Sequence, residues 1–386
     1  KKIFLTGITG LVGSAFVVAL LRERQDCEIV CLARKSAVKS AEERVGEIIR
    51  SECEFDGCPE LAPRVLESVK VIEGDVVDLD PQAMKDHPLL KDTDAVFHCA
   101  ADVNLGKDPT GRTFRINYNG TKNMVELAKL LKVKEFHYVG TAYIAGKLIG
   151  TAMENTPVDH GFNNPYEESK FKAEMLVRAS GIPFTVYRPA IITGRRSDGR
   201  IRKPLAFYRV LEFLGKLKSH YCAKHGISQT DWAKLDINFA TVPSEHVYFV
   251  PIDYVQEAVT ALFQLPVSNQ AYHITGDSPV TTRQIEDTIC SILRLDGVSV
   301  GVDNVSQSAD SKLMARFLGD LFPYFSSDIV FDQSNVRKAL GPGILDWEYG
   351  TKGLETLIRA FYLDYFPNVE WLQVLAKTNA DRAPIR

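Results

Sequence analysis

The chain has 386 residues, room for two or three domains or for one large α/β domain with an elaboration. Hydrophobic residues make up 45% and charged residues 25%, which excludes a disordered chain, a collagen-like chain and a disulfide-dense miniprotein. Lys and Arg total 46 against 49 Asp and Glu, so a net charge of −3 gives no global nucleic-acid signature.

The longest apolar stretch, residues 11–21, falls well short of the roughly 20 residues that a membrane span needs. The seven cysteines are odd in number and scattered, the pattern of reduced intracellular thiols. A cytoplasmic location without a transmembrane segment is therefore expected. No secretory signal opens the chain, and residue 1 is Lys rather than Met, so the native start is expected upstream.

In chain order, Lys2–Thr6 reads as a strand, followed by a glycine-punctuated turn and an apolar helix to about Arg24. Glu28–Ala33 is a second strand, 41–50 has helical composition, Val69–Glu73 is a third strand and 95–99 a fourth. Residues 119–131 carry apolar side chains at helical spacing. Glu135–Val139, 184–187 and 246–250 read as further strands. Alternating strands and helices predict a Rossmann-like, doubly wound parallel sheet. Residues 195–245 and 276–386 read as mostly helical and aromatic-rich. The expected organisation is a nucleotide-binding domain of residues 1–195 and 246–275, interleaved with a substrate-binding region of 196–245 and 276–386.

The first turn reads Thr6-Gly7-Ile8-Thr9-Gly10-Leu11-Val12-Gly13. Glycines there let the backbone turn sharply and approach a pyrophosphate, while the helix N-terminus offers N–H groups to the anion. Arg34 and Lys35 stand after the second strand, where an NAD site usually places an acid. A cation there suits a 2′-phosphate, hence NADP(H); the alternative is a solvated basic pair. Asp75 and Val76 after the third strand point to the adenine, unless Asp75 simply caps its own turn.

Tyr166 and Lys170, four apart in YEESK, share a helix face. An ammonium beside a phenol lowers its pKa, and the phenol can exchange a proton with a carbonyl oxygen. Thr141, just after the strand Glu135–Val139, adds a second hydroxyl donor.

Together these segments resemble an extended short-chain dehydrogenase/reductase. The carriers are TGITGLVG, His98-Cys99-Ala100-Ala101, NYNGT with Asn117, YVGTAYIAG, YEESK and YRPAIITG. A narrower resemblance, through CLARKSAVKSAEERV, GDVVDLD, FHCAADVN, VPIDYV and the later FDQSNVRKALG, is to thioester reductases. That group includes the terminal reductase domains of nonribosomal peptide synthetases, carboxylic acid reductases and fatty acyl-CoA reductases. The resemblance implies NADPH-dependent reduction of an acyl thioester, carried on phosphopantetheine or CoA, to an aldehyde, with a second hydride giving the alcohol. It implies a catalytic triad of Thr141, Tyr166 and Lys170. It also implies a cofactor site of Thr6, Gly7, Thr9, Gly10, Leu11, Val12, Gly13, Arg34, Arg44, Asp75, Val76, Ala100, Ala101, Asn117, Tyr166, Lys170, Pro189 and Ile192. An acyl or peptidyl carrier protein is an implied partner, and no metal is expected. The chain would then be the end of a larger synthetase or a free-standing reductase trimmed by a few residues.

Arg195, Arg196, Arg200, Arg202 and Lys203 form a basic loop in which only Asp198 opposes, read either as a carrier or phosphate contact or as a solvated loop. Cys53 and Cys58 are expected in a polar, acidic loop. The aromatics Phe207, Tyr208, Phe213 and Tyr221, and later Phe361, Tyr362, Tyr365 and Phe366, fit a core better than a pocket. Two other functions share these motifs: a nucleotide-sugar epimerase or dehydratase, and a non-catalytic NADP(H)-binding sensor or scaffold.

Overall fold

The computed structural model describes residues 1–302 and 307–366, so the last part of the expected substrate region lies outside the described residues. These residues form two compact units. The first comprises Lys1–Ala190, Tyr254–Thr275 and Phe331–Asp346; the second comprises Ile191–Asp253, Gly276–Val330 and the described residues from Trp347.

The first unit is built on seven parallel strands: β1 (Lys2–Thr6), β2 (Glu28–Ala33), β3 (Val69–Glu73), β4 (Ala95–His98), β5 (Glu135–Val139), β6 (Phe184–Pro189) and β7 (Gln270–Ile274). Their order across the sheet is β7-β6-β5-β4-β1-β2-β3. The strands are short, β-branched and aromatic, and most of their side chains are buried, least so on the edge strand β3, as a sheet covered on both faces requires. On one face Phe4, Val30, Val96, Phe136 and Val186 pack with Met124, Leu127, Ala173 and Val177 from two helices, Gly120–Leu131 and Pro165–Arg178. On another side of the core Phe16, from the helix Leu11–Glu23, stacks on Phe97 at 3.9 Å, and Phe263 meets Phe16 edge-on at 5.0 Å.

Strand order reverses between β1 and β4, which lie side by side. At such a point the loops leaving adjacent strands diverge and open a crevice at the carboxyl ends, where doubly wound sheets bind ligands.

Among its described residues the second unit has no large sheet. Ile191–Thr193 pairs in parallel with Phe249–Pro251, and Ala233–Phe239 with Leu295–Val300. Helices Tyr208–His225, Thr282–Leu293, Ala309–Leu318 and Gly350–Tyr365 complete it. Among the described residues no helix is long and apolar enough to cross a membrane.

Four expectations need correction. The strand near 246–250 is shorter, Phe249–Pro251, and pairs outside the seven-stranded sheet. The region 195–245 contains a seven-residue strand that helical composition concealed. Residues 331–346 belong to the first unit, not to the later helical region, because polar bonds tie them there. Asp332 N donates to the Ala152 carbonyl at 2.9 Å, and the Asn335 amide donates to the carbonyls of Glu154 at 3.1 Å and Ala271 at 2.9 Å. Finally, Cys53 is fully buried on the helix Ala41–Phe55 rather than in a loop. Cys58 N donates to the Cys53 carbonyl at 2.8 Å across Gly57, which has φ +71°, so the pair closes the helix in a Schellman turn with both thiols inside.

Candidate active site

The glycine turn is set by steric room. Gly7 has φ +84°, and a Cβ there would lie 2.6 Å from the Ala100 nitrogen at the end of β4. A Cβ on Gly13 would lie 2.3 Å from the Gly7 carbonyl. The helix Leu11–Glu23 starts at Gly10 with no side-chain cap and no acid in its first turn. That arrangement suits a bound pyrophosphate at the helix N-terminus. Thr9 and Gly10 are part-exposed at the turn, while Leu11 and Val12 are buried in the helix start.

Thr6 is fully buried, and its hydroxyl is bonded to His98 on the neighbouring strand β4. It belongs to a chain of hydrogen bonds. Ala100 N donates to Thr6 Oγ1 at 3.2 Å, and the Thr6 hydroxyl meets His98 Nδ1 at 2.6 Å. His98 Nε2 meets Thr121 Oγ1 at 3.0 Å, and that hydroxyl donates to the Asn117 carbonyl at 2.6 Å. Since Thr121 spends its proton on Asn117, His98 donates from Nε2 and accepts at Nδ1. Burial holds the imidazole neutral, with its pKa down to about 3. The Asn117 amide donates to the Asp102 carbonyl at 3.0 Å and to Ser169 Oγ at 3.0 Å, and its oxygen accepts from Asp102 N at 2.8 Å. Asn117 thus holds the loop after Ala100 and Ala101 against the helix Pro165–Arg178.

At the other side of the glycine turn, Arg34, Arg44 and Asp75 come together. Arg34 Nη1 meets Asp75 Oδ2 at 3.3 Å, and Arg44 donates to the Arg34 carbonyl. Asp75 Oδ1 also accepts from Val77 N at 3.1 Å, so the carboxylate caps its own turn as well as pairing with Arg34. Val76 is buried, with its Cγ2 2.7 Å from where a Cβ on Gly120 would stand. That contact gives a steric reason for the glycine of NYNGT.

Thr141, Tyr166 and Lys170 are all buried. Thr141 donates to the Pro189 carbonyl at 3.4 Å and accepts from Tyr143 N at 3.3 Å. The helix carrying the other two is capped by Asn164, whose side chain accepts from Glu167 N at 3.0 Å. Tyr166, Lys170, Ala173 and Val177 form its buried stripe. Burial pushes the Tyr166 phenol up to about 12, against the Thr141 hydroxyl, which lowers it. Burial pulls the Lys170 ammonium down to about 8. Lys170 Nζ donates to the Val139 carbonyl at 2.7 Å, joining the helix to the last residue of β5. Cys99 is part-buried beside this group, its thiol pushed up to about 11 by burial. Ile192 is part-exposed and belongs to the second unit.

Sequence reasoning missed the groups that hold this helix. Arg188, from YRPAIITG, is buried and binds Glu174 through two bonds of 2.6 and 3.0 Å. It also donates to the carbonyls of Met153 at 3.1 Å and Asn155 at 2.8 Å. Arg178 reaches the same carboxylate at 2.8 Å. Burial works to raise the Glu174 pKa, but the two guanidinium groups hold it below the ordinary carboxylate value. The available signal was a Glu one turn beyond Lys170, on the helix face that also carries Ala173 and Val177.

In the second unit the basic loop is largely neutralised. Arg195 pairs with Asp198, Arg196 with Asp253 at 3.0 Å, and Arg200 with Asp364 at 2.9 Å. The expectation that only Asp198 opposes the loop fails because two carboxylates arrive from distant sequence. Phe207, Tyr208, Phe361 and Tyr362 are buried core, whereas Tyr365 is 41% exposed.

Comparison with known proteins supplies the family. A nonribosomal peptide synthetase of Aspergillus flavus, asaC, is 26% identical over 302 residues, covering 74% of this chain and 27% of that protein. A carboxylic acid reductase of Segniliparus rugosus is 27% identical over 287 residues, covering 68% of this chain and 23% of that protein. The chain therefore spans about a quarter of the length of these relatives. The terminal R domain from the myxalamid PKS-NRPS biosynthetic pathway shares the fold, with a TM-score of 0.73 at 22% identity over 96% of this chain and 92% of that one. The family model for the Male sterility protein, an NAD-binding domain, matches residues 5–259. With more than half its length matched, and with the glycine turn at the switch point of a seven-stranded parallel sheet, the chain belongs to the Male sterility protein family of NAD-binding domains.

Proposed function

We propose that the chain reduces an acyl thioester to an aldehyde with NADPH, and that Thr141, Tyr166 and Lys170 carry the reaction. The observation that supports this reading best is the buried convergence of two hydroxyls and an ammonium at the carboxyl end of β5. The names of relatives, a carboxylic acid reductase and a peptide synthetase terminal R domain, support the substrate class.

The glycine turn would hold the pyrophosphate, Arg34 and Arg44 the 2′-phosphate, and Asp75 and Val76 the adenine side. A bound nicotinamide supplies the hydride. Tyr166 and Thr141 donate hydrogen bonds to the carbonyl oxygen as it becomes an oxyanion, and Tyr166 delivers the proton. One such donor is typically worth about 10²–10³ in rate. Lys170 favours the phenolate through its charge and offers its remaining N–H groups to ribose hydroxyls. The thiohemiacetal then breaks its C–S bond, giving aldehyde and thiol. A second round gives alcohol. A pantetheine arm on a carrier protein, or CoA, would present the acyl group.

The test is NADPH oxidation with acyl-CoA and carrier-bound thioesters, with products identified by mass. Tyr166→Phe is expected to lower turnover at least about 10²-fold while NADPH still binds. Full turnover by that variant would overturn the assignment. Tightly retained NAD with no NADPH consumption would favour an epimerase instead. Arg34→Ala is expected to weaken NADPH about tenfold or more and leave NADH nearly unchanged. Equal weakening of both would remove Arg34 from a 2′-phosphate site.

A further inference from the structure

Lys170 carries its charge in an unusual setting. It is buried, and Glu174, the carboxylate whose charge acts on it, is already held by Arg188 and Arg178. The ammonium makes one hydrogen bond, to the Val139 carbonyl at 2.7 Å. Beneath it lies the ring of Tyr138, the residue preceding Val139 on β5, with Nζ 4.4 Å from the ring centroid. Tyr138 is fully buried, and its hydroxyl lies beside Thr121 without a hydrogen bond of good geometry. The side chain earns its place by its ring and not by its hydroxyl.

We propose that Tyr138 is a positioning residue: its ring face supports the Lys170 ammonium and leaves the remaining N–H donors of that ammonium available to a ligand. The inference rests on Lys170 acting as in the proposed reaction. A carboxylate in the same place would stabilise the charge more strongly, but it would also take up those donors and pin the ammonium in an ion pair. An aromatic face attracts a cation through its quadrupole and accepts no directed hydrogen bond at its edge. The other titratable groups acting on Lys170 are Cys99 and His98 at the end of β4, and Glu174 on its own helix. Glu174 favours the charged form, and Cys99 would do so only as a thiolate, which burial disfavours; the neutral His98 contributes no charge.

The experiment titrates Lys170 in the ligand-free chain by the 13Cε shift of labelled lysine, assigned with Lys170→Met. Tyr138→Leu is expected to lower the Lys170 pKa by about one unit, since a desolvated cation–π contact and a one-unit shift are similar in free energy. Tyr138→Phe keeps the ring face and is expected to hold the value within a few tenths of a unit. Should the leucine variant fail to fold, 4-fluoro-, 3,5-difluoro- and pentafluorophenylalanine at 138 keep the shape while draining the ring face. The Lys170 pKa, and with it the alkaline limb of the rate profile, is expected to fall stepwise along that series. A phenylalanine variant as perturbed as the leucine variant, or a pKa indifferent to fluorination, would overturn the proposal. Because the titration needs no substrate, an unperturbed titration series in a chain that reduces no thioester would count against the reaction as well as the ring. A stepwise titration in such a chain would count against the reaction alone.

Discussion

An arginine of each unit meets a carboxylate in opposite surroundings. In the first, Arg188 is buried and its guanidinium is shared among a carboxylate and two backbone carbonyls. In the second, Arg200 lies on the surface, its side chain 56% exposed, and meets Asp364 across 164 residues of sequence. The first arrangement fixes where a helix bearing Tyr166 and Lys170 sits on its sheet. The second balances a basic loop in water. A buried charge must be matched by geometry, because desolvation leaves a large penalty for any unmatched group, whereas solvent screens the exposed pair.

The contrast is broken most severely at Glu174. Glu174→Ala strands Arg188 in the interior, and a loss of about 3–5 kcal/mol is expected, read as a lower urea midpoint in unfolding. A loss below about 1 kcal/mol would mean that Arg188 finds water or another acceptor.

Lys170→Met sharpens the comparison from the other side. Folding lowers the Lys170 pKa from 10.5 to about 8, so between those values the folded chain binds fewer protons than the unfolded one. The cost of the buried ammonium is fully present below pH 8 and fades as pH rises toward 10.5. The methionine variant is therefore expected to be more stable at pH 7 by about 1–2 kcal/mol, at the expense of activity. Its advantage in melting temperature should shrink between pH 8 and 10. A constant advantage across that range would separate the effect from Lys170 ionisation.

Asp364→Ala is expected to change stability least, by less than about 0.5 kcal/mol, and any effect should vanish in high salt. A larger loss that persists in salt would mean that the loop 195–203 is held by Arg200 and not by its backbone.

Much of the first unit was legible in the sequence because its signals are local. Each of the first five sheet strands is a short apolar run bounded by a turn. The motif TGITGLVG carries its own steric logic, since Gly7 and Gly13 touch backbone within reach of the same turn or the adjoining strand. The Tyr166–Lys170 spacing defines one helix face wherever the helix packs.

The supporting network was not legible, because no periodicity in the chain announces that Arg188 will meet Glu174 or that His98 will reach Thr121. The strand Ala233–Phe239 was missed for a related reason. Its sequence AKLDINF does alternate apolar and polar residues, a strand signal the surrounding helical composition masked, and its partner Leu295–Val300 lies beyond two helices, Ile252–Phe263 and Thr282–Leu293. The return of 331–346 to the first unit depends on Asn335 meeting two backbone carbonyls that only the folded chain presents.

By itself, then, the amino-acid sequence determined the parallel α/β sheet, the glycine turn and the three candidate catalytic side chains, since each follows from residue type and short-range spacing. The tertiary structure alone decided how those side chains are charged and held. Burial lowers Lys170, raises Tyr166 and silences His98. Burial arises only when strands and helices distant in sequence close over the same few atoms.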